Sequence, residues 1–260
     1  MQISGNTVLI TGGTSGIGFA LAARLVALGN TVIVTGQSQS HLDAAREKLP
    51  GVHAIQSDVS DAVAIAGLHR KIVEEFPALN VLVNNAGIMR RINLQTFGSD
   101  LRDLTREIEV DLNGAIRMAV AFLPHLKTKD RAAIVNVSSG LAFVPLPIAP
   151  IYSAAKAAIH SFTQSLRLQL KDTNVAVFEL APPITRTSLF RGTLSMDDVG
   201  VTPMQVETLV KRAIAGLKHD RLEIRPGLSN MLKIMSRVAP NFILKRLGKP
   251  VDRMLAQAKG

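Results

Sequence analysis

The chain of 260 residues contains no cysteine. That excludes disulfides, thiolate metal sites and a cysteine nucleophile. Aromatic residues make up only 4% of a chain that is 47% hydrophobic, so the core has to be aliphatic and alanine-rich. Such a core suits parallel strands buried between two layers of helices. No apolar run approaches the ~20 residues that a membrane-spanning helix needs. The N-terminus lacks the basic-then-apolar pattern of a secretory signal, and a cytoplasmic location is the expectation. Acidic residues are scarce relative to basic ones, 20 against 30, for a formal charge of +10. The excess is local: residues 218–260 hold ten Lys/Arg and three Asp/Glu, a net +7. This tail has no aromatic interleaving for base stacking and no zinc-finger, helix-turn-helix or RNP pattern, so nucleic acid is not an expected partner.

Strand and helix signals alternate along the chain without a long linker. Strands are expected at 7–11, 31–35, 52–56, 80–84, 132–137, 174–180 and 222–224. Helical patterns fall at 16–28, 40–49, 61–76, 100–126, 152–171 and 204–217. Such alternation calls for an α/β fold, a parallel sheet with right-handed crossovers and helices on both faces. A ligand in such a sheet sits beyond the carboxyl ends of the strands, where strand order reverses. The segments Thr11–Gly18, Asn84–Gly87, Ser139 and Pro182–Thr187 each follow a strand and converge on that rim.

The first of these reads Thr-Gly-Gly-Thr-Ser-Gly-Ile-Gly, from Thr11 to Gly18, after the apolar run Thr7–Ile10. Gly12, Gly16 and Gly18 are spaced for a turn that a diphosphate approaches closely, with the N–H groups and positive end of a helix behind it. Further along, Tyr152 and Lys156 lie one helical turn apart, and Ser139 precedes the tyrosine by thirteen residues. A phenol has a pKa near ~10, too high for efficient proton exchange at neutral pH. An ammonium on the same helix face favours the phenolate. A serine hydroxyl from a strand end can hold a substrate oxygen against that phenol. Taken alone, the Tyr/Lys pair is equally an exposed pair on an ordinary helix; the glycine turn changes that balance.

Together these residues resemble the short-chain dehydrogenase/reductase family over roughly residues 5–225. The motifs are Thr11–Gly18, Asp58-Val59, Asn84–Gly87, Ser139, and Tyr152 with Lys156. The runs Thr11–Gly18 and Leu180–Pro183 are also similar to the branch that includes the DltE-type oxidoreductases. The resemblance implies a single doubly wound, Rossmann-type domain over 1–225; beyond it, the charge and apolar patterning of 226–260 read as a basic, helical C-terminal extension that is not an independent domain. It implies an NAD(P)(H)-dependent oxidoreductase that interconverts a carbonyl and a secondary alcohol without a metal. Tyr152 would be general acid in reduction and general base in oxidation. Lys156 would lower its pKa and bind the nicotinamide ribose, and Ser139 would hold the substrate oxygen. Cofactor contacts are implied for Gly12, Thr14, Ser15, Gly16, Ile17, Gly18, Gln37, Asp58, Val59, Asn85, Ala86, Gly87, Tyr152, Lys156, Thr185 and Thr187, with Asp58 at the adenine. The six histidines form no metal-ligand pattern and read as exposed or packing residues.

The chain departs from the family pattern at several points. Asp111 stands where the family has an asparagine that anchors a water linked to the lysine. A carboxylate can accept that hydrogen bond, but its charge near Lys156 opposes any lowering of the Tyr152 pKa. Asn113 is two residues on and points ~200° away. Pro183 stands in place of a glycine and removes a backbone N–H. At the end of the second strand Gly36 replaces the acid that would select NAD(H), so nothing there repels a 2′-phosphate. Gln37 and Ser38 offer hydrogen bonds but no charge. NADP(H) is favoured over NAD(H).

Residues 183–202 read as a lid over the substrate. Leu141, Phe143, Val144, Leu146, Ile148 and Ile151 read as an apolar approach, which favours a hydrophobic small molecule; packing under the lid is the alternative for several of them. The tail reads as short amphipathic helices broken at Pro240 and Gly248. Its apolar face closes the pocket or an oligomer interface, or else docks on an anionic membrane, which is the less favoured reading. The Ala- and Leu-rich helices at 100–126 and 152–171 are expected to pair copies into a homodimer or homotetramer. A second class of function, a nucleotide-binding regulator or scaffold without turnover, draws on Asp111 and Pro183. The intact Ser139/Tyr152/Lys156 set argues against it.

Overall fold

The structure, a computed structural model, describes residues 1–189 and 200–257. Seven strands form one parallel sheet in the order β3-β2-β1-β4-β5-β6-β7. They are β1 (Thr7–Thr11), β2 (Thr31–Gly36), β3 (Val52–Gln56), β4 (Leu79–Asn84), β5 (Ala132–Val137), β6 (Val175–Leu180) and β7 (Glu223–Ile224). The order reverses between β1 and β4, which places a crevice beyond their carboxyl ends. The strands are β-branched and apolar because both sheet faces are covered. Side chains alternate across the sheet. Val8 and Ile10 point into one core with Leu21, Leu25, Leu209 and Leu217. Leu9 points into the other with Ile65, Ile72, Phe122 and Leu126. Phe122 is fully buried, and truncating such a ring to alanine typically costs about 3–5 kcal/mol.

Among the described residues the helices are α1 (Gly16–Ala27), α2 (Gln39–Lys48), α3 (Ala62–Glu75), α4 (Leu101–Leu104), α5 (Gly114–Leu126), α6 (Pro150–Gln169), α7 (Val206–Lys218), α8 (Leu228–Val238) and α9 (Pro240–Gln257). None is long and apolar enough to cross a membrane. Most strand and helix positions fall where the sequence places them, within a residue or two.

Two expectations need correction. The stretch 100–126 is not one helix. It is the single turn α4, a π-helical turn at Ile108–Asn113, and then α5. A π turn closes i→i+5 hydrogen bonds and fits one extra residue into a helix, and such turns often mark functional sites. The tail does break at Pro240, but α9 runs through Gly248 and Pro250. Leu247 and Val251 from this helix pack on the interior, and that burial outweighs the local cost of glycine and proline. Half of the expected lid, residues 190–199, lies outside the described residues.

Candidate active site

The site grows from the ends of β1, β4, β5 and β6. The turn after β1 depends on glycine at two places. Gly12 has φ +63, and a Cβ there would lie 2.8 Å from the Ala86 backbone. A Cβ on Gly18 would lie 2.4 Å from both the Gly12 carbonyl oxygen and the Asn85 amide. Only glycine lets β1, α1 and the segment after β4 come together this closely. Asn85 locks the arrangement: its side-chain amide donates to the carbonyls of Thr11 (2.9 Å) and Gly12 (3.1 Å). The Thr11 hydroxyl accepts from the backbone N–H groups of Asn85 and Ala86, each at 3.0 Å.

These segments surround a cavity of about 1200 Å³. Gly12, Thr14, Ser15, Gly16 and Ile17 line it at the N-terminus of α1, and Gln37 and Val59 line it beyond β2 and β3. Asn85, Ala86 and Gly87 follow from β4, and Thr185 and Thr187 from the segment after β6. Gly18, Asp58 and Asp111 are not on the wall. Gly18 packs behind the turn. The Asp58 carboxylate accepts from the Ser60 N–H (2.8 Å) and hydroxyl (2.7 Å), while its neighbours Ser57 and Val59 face the cavity. Burial pushes the Asp58 carboxyl up, but hydrogen bonds from Ser60 and Gln37 outweigh it and hold the group below its ordinary value.

Ser139, Tyr152 and Lys156 meet on the same wall. Ser139 ends β5 and its hydroxyl accepts from the Leu141 N–H at 3.1 Å. The same hydroxyl faces the Tyr152 phenol closely enough to favour its ionised form. Tyr152 and Lys156 come from the first turns of α6, which Pro150 opens at its first position. The Lys156 ammonium lies 5.5 Å from the centre of the Tyr152 ring and donates to the Val137 carbonyl at 3.1 Å. Burial drives the Tyr152 pKa up. Lys156 opposes this, Asp111 adds to it, and the Ser139 hydroxyl opposes it, with a net direction upward. The sequence expectation of a lowered phenol pKa therefore needs correction. The lysine acts in the expected direction, but desolvation is the larger effect.

Asp111 lies in the π-helical turn, and its carboxylate is packed against Gly87. One oxygen accepts from the Ile88 N–H at 2.8 Å. The other is 3.4 Å from Lys156 Nζ, an ion pair without a well-formed hydrogen bond. Burial pushes the Asp111 carboxyl up to about 6, against the pull of Lys156 and the Ile88 N–H. Burial disfavours the Lys156 ammonium, yet Asp111 and Tyr152 hold its pKa above the ordinary lysine value. Asn113 turns away and donates to Glu109 at 2.8 Å.

Sequence reasoning missed a second set of contacts. Ser138 donates to the buried Glu179 carboxylate at 2.5 Å, and His160 pairs with the same group at 2.7 Å. His160 also stacks edge-on against Phe143, so it is more than an exposed or packing residue. Glu223 lies close to this pair, with Lys233 of α8 at 2.5 Å and Arg225 at 3.2 Å balancing its charge. The signal for Glu179 was an acid inside an apolar strand. Of the apolar approach, only Leu141 and Leu146 line the cavity; Val144 and Ile148 are interior and Phe143 faces His160. A large share of the remaining wall comes from the tail, including Leu232, Ile243, Arg246 and Leu247.

A dinucleotide fits what is present. The Thr35 and Ser57 hydroxyls at the β2 and β3 ends border the cavity and are buried without a partner. The glycine turn leaves open the space that side chains would fill. Comparison with known proteins agrees. The model of the short chain dehydrogenase family matches residues 6–198.

The chain belongs to the short-chain dehydrogenase family.

It is thereby an NAD(P)-dependent oxidoreductase. Among relatives, it is 43% identical over 224 residues to the uncharacterized oxidoreductase DltE of Bacillus subtilis, covering 86% of this chain and 89% of that one. That places it in the DltE-type branch. It is 32% identical over 240 residues to the sulfoacetaldehyde reductase of Chromohalobacter salexigens, covering 84% and 93% of the two chains. A short-chain dehydrogenase from Burkholderia cenocepacia, solved in complex with NADP, superimposes with a TM-score of 0.81 at 26% identity, over 95% of this chain and 99% of that one.

Proposed function

We propose that the protein interconverts a carbonyl and a secondary alcohol on a small, largely apolar molecule, with NADP(H) as cofactor. The observation that carries this reading is the cluster of Ser139, Tyr152 and Lys156 on the wall of the cavity that the glycine turn opens. The nicotinamide, when bound, supplies or accepts the hydride. The chain does the rest. The glycine turn and the α1 N-terminus hold the diphosphate. Thr185 and Thr187 meet the carboxamide side, and Lys156 holds the ribose. Ser139 and Tyr152 hydrogen-bond the substrate oxygen and orient its carbon. In reduction the Tyr152 hydroxyl gives its proton to that oxygen as charge develops there. The raised phenol pKa keeps this proton in place at neutral pH. In oxidation the phenolate takes the proton back, assisted by the charge of Lys156. The relative described as a sulfoacetaldehyde reductase supports a carbonyl as the reacting group. Gly36, which leaves no acid beside Gln37 and Ser38 on the cavity wall, supports NADP(H).

Tyr152→Phe tests this reading. The variant is expected to lose at least 100-fold in kcat for NADPH-dependent carbonyl reduction, within the range typical of a general acid, while NADPH affinity measured by calorimetry is nearly unchanged. Substantial turnover by the variant would sink the mechanism.

A further inference from the structure

The tail carries more than an apolar lid. In α9, Arg246, Lys249 and Arg253 all line the cavity, spaced by three and four residues on one face of the helix. Ile243, Leu247 and Pro250 line it beside them. No aspartate or glutamate lies on the cavity wall among the described residues. Asp252, also in α9, is exposed and off the wall. Arg246 and Lys249 have no carboxylate partner among the described residues. These cations belong to the Tyr152 side of the cavity. Leu247, Val251 and Met254 pack on the cluster that contains Tyr152, Leu141 and Leu146. A cleft lined by one sign of charge concentrates ions of the other sign.

We infer that the substrate is an anionic amphiphile: a carbonyl or alcohol on an apolar chain that ends in a carboxylate, sulfonate or phosphate. The reacting carbon sits at Ser139 and Tyr152. The chain lies along Leu141, Leu146 and Leu247. The anion rests at the rim on Arg246 and Lys249. This assignment deepens the proposed carbonyl chemistry and rests on it. An apolar body without charge would satisfy the inner wall but leave two cations unanswered at the mouth.

The test uses a matched pair, a medium-chain (ω−1)-oxo carboxylate, a ketone whose reduction gives a secondary alcohol, and its methyl ester, assayed with NADPH at low and high salt. Exposed ion pairs are worth up to about 1 kcal/mol each, so the carboxylate is expected to win by about fivefold or more in kcat/KM through a lower KM, with the margin shrinking as salt rises. The double variant Arg246→Gln/Lys249→Gln is expected to erase the difference between the pair and to keep the parent's NADPH dissociation constant. Equal rates for the two compounds in the parent protein would overturn the inference while leaving the carbonyl reading intact. Weakened NADPH binding in the double variant would overturn it by giving the cations to the cofactor. Calorimetric binding of the carboxylate but not the ester, with neither compound reduced, would uphold the anion site and sink the carbonyl reading. Binding to anionic vesicles that the double variant loses, with no preference between the soluble pair, would overturn it in favour of a membrane-docking surface.

Discussion

Replacing Asp111 by asparagine separates the cost of a buried charge from its catalytic effect. Its carboxyl is raised from an ordinary value of 3.8 to about 6, chiefly by burial, with Lys156 pulling the other way. A folded carboxyl that holds its proton more tightly than the unfolded one favours the folded state most at low pH. That contribution is present below 3.8 and is lost as pH rises through about 6. At 1.36 kcal/mol per pKa unit, the loss approaches about 3 kcal/mol by neutral pH, and about half of it falls between pH 5 and 7.5. The amide introduced by the substitution carries no charge in either state. Asp111→Asn is therefore expected to gain stability relative to the parent as pH rises, a few degrees in Tm between pH 5 and 7.5 for a chain of this size. The amide oxygen can still accept from the Ile88 N–H. The same substitution removes a charge that raises the Tyr152 pKa. The alkaline rise in alcohol oxidation, which on the proposed mechanism needs the phenolate, is expected to move to lower pH. Thermal melts and rate profiles across the pH range read both effects. Parallel stability curves for the two proteins, together with an unmoved oxidation limb, would refute the account of Asp111.

Two further outcomes are expected. With Gly36 in place of an acid, NADPH should bind more tightly than NADH in calorimetry; a tenfold or greater preference for NADH would reverse the assignment. The protein should sediment as a dimer or tetramer at micromolar concentration, because α5 and α6 expose Val120 (63%) and Leu168 (71%) on their outer faces. A monomeric mass would contradict it.

Much of this was legible in the sequence, for identifiable reasons. Strands buried on both faces read as short apolar runs, and the glycine turn is constrained by close contact at Gly12 and Gly18. Tyr152 and Lys156 share a face because they are four residues apart on a helix. The π-helical turn around Asp111 was not legible, because no residue type or spacing in the run separates a single i→i+5 turn from ordinary α-helix. Nor was α9, where Gly248 and Pro250 signal a stop that tertiary packing overrides. The Ser138–Glu179–His160 contacts also escaped notice. They join residues far apart in the chain, and nothing in local periodicity brings β5, β6 and α6 to one point.

The division of labour along the chain has an engineering consequence. The groups that hydrogen-bond or pair with Ser139, Tyr152 and Lys156 come from residues before α7. Much of the outer wall of the cavity comes from α8 and α9. The two parts meet where Ser229 lies against Gly140, Lys233 against Phe143 and Glu223, and Leu247, Val251 and Met254 against the cluster around Tyr152. On the proposed function, the chemistry and the choice of substrate lie on different stretches of polypeptide that share this packed seam. On that reading, exchanging the last helices for those of a relative would change which molecules reach the site without altering the reactive residues, a route to new selectivity in which the replacement must keep the apolar contacts around Tyr152.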